Sequence, residues 1–298
     1  MRVTTSPYRD LWFIEKYKAA DPRIFITVCK ILLKKFEYSS FLAGMYSGFF
    51  FYDGFHKPEE IIKEFSGHID LLEKLYILTF KNTPTICDLQ GTFARALLRV
   101  DSTFVDAFAQ HVAEMLRQHR GESVREQLIS IFDEENAHSI LDRIVETTAA
   151  QCKYVFLDLP ELFDELLLPV AGKESLRKKQ DEWMRHLIKQ YANDTKRMRY
   201  LFETIGKLSD DRRIGYIILY LEYNPAYEDF EKLPLIPSSL LWCGSAVPVY
   251  SRHKECMMNL GTHLTGIKYL KHRKHVQDVI ARLQADIERE QLHDILTG

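Results

Sequence analysis

The side chains that could bind a metal ion are concentrated near the C-terminal end of the chain. Histidine and cysteine are the ligands that zinc prefers, and two pairs with a spacing of three could each lie on one helix face. The five side chains are His253, Cys256, His263, His272 and His275. Their spacing matches no standard zinc pattern, and the cations of Lys271, Arg273 and Lys274 would repel a metal ion. We therefore predict no metal site.

The same basic side chains could bind nucleic acid. Lys271, Arg273 and Lys274 belong to the run KYLKHRKH, and Tyr250 and Tyr269 are nearby in the sequence. Basic groups neutralise phosphates, and aromatic rings stack on the bases of single strands. Acidic residues return further along the same predicted helix, and the whole chain has a formal charge of -2. A solvated helix face is therefore favoured, and nucleic-acid binding stays open as a weaker alternative.

Motifs of catalysis and of cofactor binding are absent from the sequence. The chain contains no GxxxxGKS, GxxxxGKT or GxGxxG loop for a phosphate group and no GxSxG nucleophile elbow. Acidic pairs such as Asp133 and Glu134 are interpreted as solvated helix caps rather than general acids. We predict no catalytic residue and no cofactor. The alternative is an all-α enzyme whose site lies in 233–266, near His253 and His263.

Aromatic side chains are the candidates for a protein interface. The segment GMYSGFFFYDGFH carries several that point in too many directions to lie on one narrow helix stripe. We favour burial on several sides, but the same side chains would be strong anchors if they faced a partner. Two further aromatic residues lie in a Pro-rich segment near the C-terminal end. The candidate partner-binding residues are Phe49, Phe50, Phe51, Tyr52, Phe55, Trp242 and Tyr250.

The pattern of apolar residues predicts that helices position all of these candidates. Only 13 glycines and 10 prolines interrupt the 298 residues, and apolar side chains recur between them at spacings of three and four. One such face contains Ile24, Val28 and Ile31, and another contains Ile69 and Leu72. The sequence shows no convincing alternation of the kind that strands produce. It therefore predicts an all-α protein.

Predicted helix starts recur at roughly regular intervals. Asp21-Pro22 and Asn224-Pro225 each place a capping side chain before a proline, and Asp101 begins a similar turn. The interval from Asp21 to Asp101 is close to two units of about 40 residues, and the interval from Asp101 to Asn224 is close to three. About 40 residues is the length of a two-helix HEAT repeat. Intermediate starts are expected near Lys57, Asp133 and Asp181. We predict an irregular array of helical hairpins, a HEAT- or TPR-like α-solenoid, with a large irregular all-α domain as the alternative.

The segment 233–266 is the longest departure from this helical pattern. Pro234, Pro237 and Pro248 each lack a backbone donor, so we predict that no helix runs through them. The apolar side chains around them predict an irregular cap over the end of the helical core, followed by a long charged helix from about Ile267. The predicted domains are the hairpin array and, packed on it, the capping segment with the C-terminal helix, at 1–232 and 233–298.

Cysteine usage and hydropathy predict a cytoplasmic protein. The five cysteines are scattered and form no CxxC pair, which favours a reducing compartment. The longest uncharged run, 38–52, is shorter than the roughly 20 apolar residues that a membrane helix needs. No signal peptide is visible at the N-terminal end. We therefore expect no membrane partner, and the sequence does not predict an oligomeric state.

Two parts of the chain resemble a known family. They are the turn DSTF at 101–104, after DLQGTFARALL, and the closing block from LPLIPSS through Trp242 into the long charged helix. Over about 85–298 the chain resembles the helical C-terminal regions of large bacterial signal-transducing NTPases of the STAND type. The resemblance implies a helical array that senses a ligand, often a protein, while an upstream NTPase module multimerises. It implies no particular site residue, because ligand contacts in such arrays vary with the ligand.

These observations together predict a non-catalytic protein-recognition or scaffold module. The concave face of a helical array offers a large surface for a partner. The resemblance implies that such a module would be the ligand-sensing part of a larger bacterial NTPase-based signalling or defence system. A protein partner is therefore expected, and a nucleic-acid partner is not.

Overall fold

The regular spacing of apolar residues produces helices throughout the part of the chain that the structure describes. The computed structural model describes residues 23–36, 57–82, 88–118, 121–152, 158–238 and 244–297. Every regular element within these ranges is helical, so the all-α class is confirmed for them. The chain divides into two compact units, which we call the N-unit, 1–153, and the C-unit, 154–298.

The N-unit contains seven α-helices within the described residues. They are α1 Arg23–Phe36, α2 Pro58–Glu64, α3 Ile69–Asn82, α4 Asp88–Val100, α5 Phe104–Arg117, α6 Gly121–Ser130 and α7 Ala137–Gln151, with a 3-10 turn at Ile131–Asp133. Helices that are two apart in the chain pack side by side, α2 on α4 and α5 on α7. Their apolar faces bury large side chains that include Tyr76, Phe93 and Phe108.

Local sequence explains where two of these helices begin. Pro58 lies in the first turn of α2, where its missing N–H costs nothing, and Glu59 and Glu60 face the positive end of the helix dipole. Before α5, one carboxylate oxygen of Asp101 accepts hydrogen bonds from the backbone N–H and the hydroxyl of Thr103, at 2.8 and 2.6 Å. Both predicted starts are therefore confirmed.

A buried ion-pair network ties α4 to the turn before α7. The side chain of Glu134 is 3% exposed, and its two carboxylate oxygens accept from Nε of Arg95 at 2.6 Å and Nε of Arg99 at 2.5 Å. Arg99 also pairs with Glu59 on α2. The interpretation of Glu134 as a solvated cap is therefore wrong, because packing brings two arginines from another helix onto it.

The C-unit contains seven further α-helices within the described residues. They are α8 Asp158–Leu167, α9 Glu174–Tyr191, α10 Thr195–Ile205, α11 Asp210–Tyr223, the short α12 Tyr227–Phe230, α13 Val247–His263 and α14 Leu270–Thr297. α8 packs on α10, while α9, α11 and α13 lie side by side in that order. α13 and α14 form a hairpin, joined through a 3-10 turn at Ile267–Tyr269. Buried side chains of this unit include Trp183, Phe202 and Tyr220.

The Pro-rich segment contains a helix that the sequence interpretation missed. Because α13 occupies Val247–His263, the prediction of an irregular segment over 233–266 is wrong for this part. Pro248 lies in the first turn of α13, where the helix requires no hydrogen bond from its nitrogen. Outside α13, the described residues of the segment are irregular. The long charged helix expected from about Ile267 is confirmed as α14.

Two predicted helix starts differ from the structure. Asn224 does not cap α12, and its buried side chain donates to the carbonyl of Ala192 at 2.8 Å and accepts from the N–H of Ala226 at 3.1 Å. The bond to Ala192 ties the end of α11 to the end of α9. The start expected near Asp181 is displaced as well, because α9 begins at Glu174 and runs through Asp181.

Two broader expectations concern the whole chain. The C-unit includes residues on both sides of the domain boundary proposed after 232, and that boundary stays a prediction. No membrane-spanning helix was expected, and none of the described helices is both long and apolar enough to cross a bilayer.

Candidate functional site: a groove beside the C-terminal helix

The segment 231–238 forms one wall of a groove in the C-unit. Pro234 and Pro237 stop the chain from continuing as a helix after α12, because proline has no N–H to donate. Leu233 and Leu235 are buried, which holds the irregular backbone against the core. We call this segment the groove wall.

A buried arginine fastens the groove wall to α11. Arg213 is 1% exposed, and its NH2 group donates to the backbone carbonyl of Leu235. Its NH1 group lies 2.8 Å from Nδ1 of His253 on α13. Burial lowers the pKa of Arg213 below its ordinary value, although nearby acidic groups oppose this shift. The wall and α13 therefore share one hydrogen-bonding centre.

The far end of the groove wall is held by α10. The backbone N–H of Ser238 donates to a carboxylate oxygen of Glu203 at 2.7 Å. Pro237 packs directly onto Gly206, where a Cβ atom would come within 2.7 Å of the proline Cδ. A side chain at position 206 would push the wall outward, so glycine is required for this close approach.

The opposite side of the groove is one face of α14. His275, Val279, Arg282, Leu283 and Asp286 recur at helical spacing and line a cavity of about 540 Å³. Tyr250 on α13 also lines it and is half-buried. We call this cavity the binding groove. Its volume lies within the range of ligand pockets in proteins.

The binding groove combines an apolar floor with a charged rim. Leu233, Leu235, Val279 and Leu283 contribute buried apolar surface, and Glu231, Asp286 and Arg282 contribute charges of both signs. Burial, followed by the nearby Arg282 guanidinium, lowers the pKa of His275, while Asp278 and Glu231 oppose this shift. Such a lining suits a ligand with an apolar side chain flanked by polar or charged groups.

The buried side chain of His253, which lies against Arg213, makes the free energy of unfolding of the C-unit depend on pH. Burial, followed by the charge of Arg213, lowers the pKa of His253 from 6.5 to about 4, with Arg252 adding to the shift and Asp210 opposing it. Between these values the unfolded chain binds a proton that the folded chain does not. The free energy of unfolding of the C-unit should therefore fall as the pH decreases from about 6.5 to about 4. We expect a loss of about 2 kcal/mol, after allowing for solvent screening.

The matched variant for this prediction is His253→Asn. An asparagine oxygen can replace Nδ1 as the acceptor for Arg213 but does not titrate. Urea melts of both proteins at pH 7 and at pH 4.5 would give the two pH dependences. An equal loss of stability on acidification in both proteins would assign the effect to other groups.

Tyr250 is the only predicted partner-binding residue that lies within the described part of the chain. The structure brings it together with the groove wall and α14, in the binding groove. The others lie outside the described residues, and they are Phe49, Phe50, Phe51, Tyr52, Phe55 and Trp242. Their role stays a prediction.

The predicted nucleic-acid residues are partly engaged within the C-unit. Lys271 lies 3.7 Å from a carboxylate oxygen of Glu228 and 5.6 Å from the centre of the Tyr227 ring. Arg273 donates to the carbonyl of Leu264 at 2.8 Å, at the C-terminal end of α13. Lys274 is exposed. Two of the three side chains therefore stabilise the start of α14.

The histidine and cysteine side chains near the C-terminal end lie in different environments. His253 and Cys256 are buried beside Arg213, whereas His263 is exposed at the end of α13. His272 and His275 pack edge-on or tilted against the rings of Tyr227 and Phe230. Among the described residues, potential metal-ligand atoms lie within 4.8 Å of one another in a different group, which consists of Glu290, His293 and Asp294. Glu290 also accepts a hydrogen bond from the N–H of Ala246.

Sequence reasoning missed Arg213, which organises the site. In the sequence, Arg213 follows Asp210, Asp211 and Arg212, and such a run of charged residues is typical of a solvated helix face. A usable signal exists, because Arg213, Ile217 and Tyr220 follow the helical spacing of a buried stripe, and all three are buried. A charged residue in phase with a buried stripe indicates a hydrogen-bonded role inside the core.

Comparison of the chain with protein-family models, curated proteins and solved structures finds no match. The resemblance to the C-terminal regions of STAND-type NTPases therefore stays a prediction. What is known about the site rests on its own geometry, which is a preformed groove with an apolar floor, a charged rim and a wall anchored by buried hydrogen bonds.

Proposed function

We propose that this chain is a non-catalytic protein-recognition module that binds a segment of a partner protein in the binding groove. The observation that carries the proposal is the composition of the groove, in which buried leucine and valine side chains lie between charges of both signs. Interfaces that bind peptide segments combine such apolar pockets with polar rims.

The dimensions of the groove favour an extended segment. The α14 face from His275 to Asp286 is about 16 Å long at the usual helical rise. An extended chain of about five residues spans that distance. We expect one large apolar side chain to enter the floor near Leu283 and a basic side chain to pair with Glu231 or Asp286. Arg282 would pair with an acidic group of the same segment.

The arrangement of helices supports a second part of the proposal, an array of helical hairpins. In each unit, helices two apart in the chain lie side by side, as with α9, α11 and α13. Stacked hairpins produce this relation. In such an array, as the STAND resemblance implies, the chain would be the ligand-sensing part of a larger bacterial NTPase-based signalling or defence system, and the cytoplasm is the expected compartment.

The experiment begins with capture of partners from the native host's lysate, followed by peptide scanning of each captured protein and titration calorimetry of the binding segment. We expect Tyr250→Ala and Arg282→Glu each to weaken binding about tenfold, because they remove an aromatic anchor and reverse a rim charge. Lys274→Glu is the matched control on the same helix, and it should change affinity less than twofold. Binding that is insensitive to both groove variants would overturn the proposal.

The two alternative functions predict different results in the same experiment. A nucleic-acid site on α14 would show co-purifying nucleic acid and loss of binding with Lys274→Glu and with added salt. An enzyme site in 233–266 would show a bound small molecule whose affinity depends on His253 or His263. Either result, without a peptide partner in the groove, would replace protein recognition as the function.

A further inference from the structure

The turn between α13 and α14 exposes two large aliphatic side chains. Ile267 is 92% exposed and Leu270 is 61% exposed, so both contact little of their own chain. Every residue of 265–268 is exposed, and Gly266 has a φ of 87°, a conformation that suits glycine. The turn therefore projects into solvent at the end of the hairpin. We call 264–274 the hairpin tip.

The hairpin tip is positively charged. All four of its charged residues are basic, and they are Lys268, Lys271, Arg273 and Lys274. Glu228 on α12 approaches Lys271 at 3.7 Å, and both of these side chains are 70% exposed. Asp278, one helical turn beyond Lys274, is the next acidic residue along α14. Four basic groups against these two acids leave a positive excess at the tip.

The exposed apolar and basic side chains point to the same side of α14. Residues at intervals of three, four and seven share one helix face, and those exposed here are Ile267, Leu270, Lys271 and Lys274. Ile267 lies in the 3-10 turn, where a residue and the third one after it are also aligned. His272 and Val276, on the other face, are 2% and 1% exposed and hold α14 on the C-unit. The tip therefore presents aliphatic groups and ammonium groups together.

We propose that the hairpin tip binds the surface of an anionic lipid bilayer. The side chains of Ile267 and Leu270 would enter the boundary between headgroups and acyl chains, and the lysines would attract anionic headgroups. Tyr269 is half-buried at the same turn, and tyrosine is enriched at that boundary in membrane proteins. The cytoplasmic leaflet carries anionic lipids, so the proposal is compatible with the expected compartment.

The projecting aliphatic groups favour a bilayer over other anionic partners. A protein partner would need a pocket shaped for Ile267, whereas lipid chains adapt to a projecting side chain. A single strand of nucleic acid would need an open aromatic ring for stacking, but the Lys268 ammonium lies 4.5 Å from the centre of the Tyr269 ring.

The proposal departs from the sequence-based expectation of no membrane partner, which considers only helices that span a bilayer. Binding to the surface of a bilayer requires no spanning helix. It is also independent of the proposed function, because no residue of the hairpin tip lines the binding groove.

The test is cosedimentation of the full chain with lipid vesicles. One set contains phosphatidylcholine with about one third phosphatidylserine, and the other contains phosphatidylcholine alone. We expect roughly tenfold stronger binding to the anionic vesicles, and we expect added salt to weaken it. The double variant Lys268→Gln, Lys274→Gln should weaken this binding about tenfold, because it removes two of the attracting charges. The double variant Ile267→Ser, Leu270→Ser should also weaken it about tenfold, because less apolar surface enters the bilayer.

The matched control is the double variant Leu292→Ser, Leu296→Ser. These leucines are 62% and 84% exposed on the same helix, but their neighbours are acidic. The acidic neighbours are Glu288, Glu290 and Asp294. The control should change vesicle binding less than about twofold. All the substituted side chains are exposed, so the variants should fold, and equal melting temperatures without vesicles would verify this.

Three results would overturn the inference. The first is binding to anionic vesicles that is no stronger than binding to neutral ones. The second is an equal loss of binding in the tip variants and in the control. The third is a tip that binds a single-stranded oligonucleotide, or a second copy of the chain, without binding vesicles.

Discussion

Replacing Glu134 with glutamine should lower the free energy of unfolding of the N-unit by about 3 to 5 kcal/mol. The glutamate accepts from both Arg95 and Arg99 while its side chain is 3% exposed. A glutamine at this position would lack the negative charge, and its NH2 group would face one of the arginine donors. The partly buried Arg95 would then lose its Glu134 countercharge, and Arg99 would keep only the exposed Glu59. Removing one member of a buried ion pair is costly for this reason.

Hydrogen exchange during urea melts would measure this effect in peptides from α4, with peptides from α9 as an internal reference for the C-unit. Glu59→Gln is the matched control, because Glu59 pairs with the same Arg99 but its side chain is 64% exposed. That control should have a much smaller effect, as expected for an exposed ion pair. If both substitutions had equal, small effects, the network would contribute little to stability.

Replacing Arg213 with methionine should lower the free energy of unfolding of the C-unit by about 2 to 4 kcal/mol. The carbonyl of Leu235 and Nδ1 of His253 would lose the buried guanidinium to which they are bonded. Methionine is flexible and can fill much of the space, so the cost comes from the lost hydrogen bonds rather than from a cavity. Relief from burying a charge offsets part of this cost.

The same variant should release the groove wall. We expect faster hydrogen exchange in peptides that cover 231–238, relative to peptides from α9. Arg252→Gln is the control, because Arg252 is next to His253 in α13 but is exposed and lies 3.6 Å from Asp210. Exchange in 231–238 that is unchanged by Arg213→Met would show that apolar packing alone holds the wall.

Some features of the fold could be predicted because they depend on short stretches of sequence. The apolar spacing predicts helices, and the proline at 58 and the carboxylate at 101 predict where two of them begin. These effects act over a few residues, so a single sequence contains the information they need. Tyr250 lies in the binding groove, and its contact with a partner stays a prediction.

Local rules gave a wrong interpretation where one residue type is compatible with two structures. Pro248 was taken as evidence against a helix, yet proline is well tolerated in a first helical turn, and α13 begins there. Asparagine often caps a helix, but the side chain of Asn224 is buried and donates to the carbonyl of Ala192 at the C-terminal end of α9. Which role such a residue takes depends on what packs against it.

The sequence by itself determined the helical class of the described residues, several helix starts and the long charged helix at the C-terminal end. Only the tertiary structure decided which charged residues are buried and which cavities form. Glu134 meets its arginines across more than 30 positions of chain, and Arg213 meets Leu235 and His253 across separations of 22 and 40. Helical periodicity carries no information about partners at such distances, because packing between helices sets them.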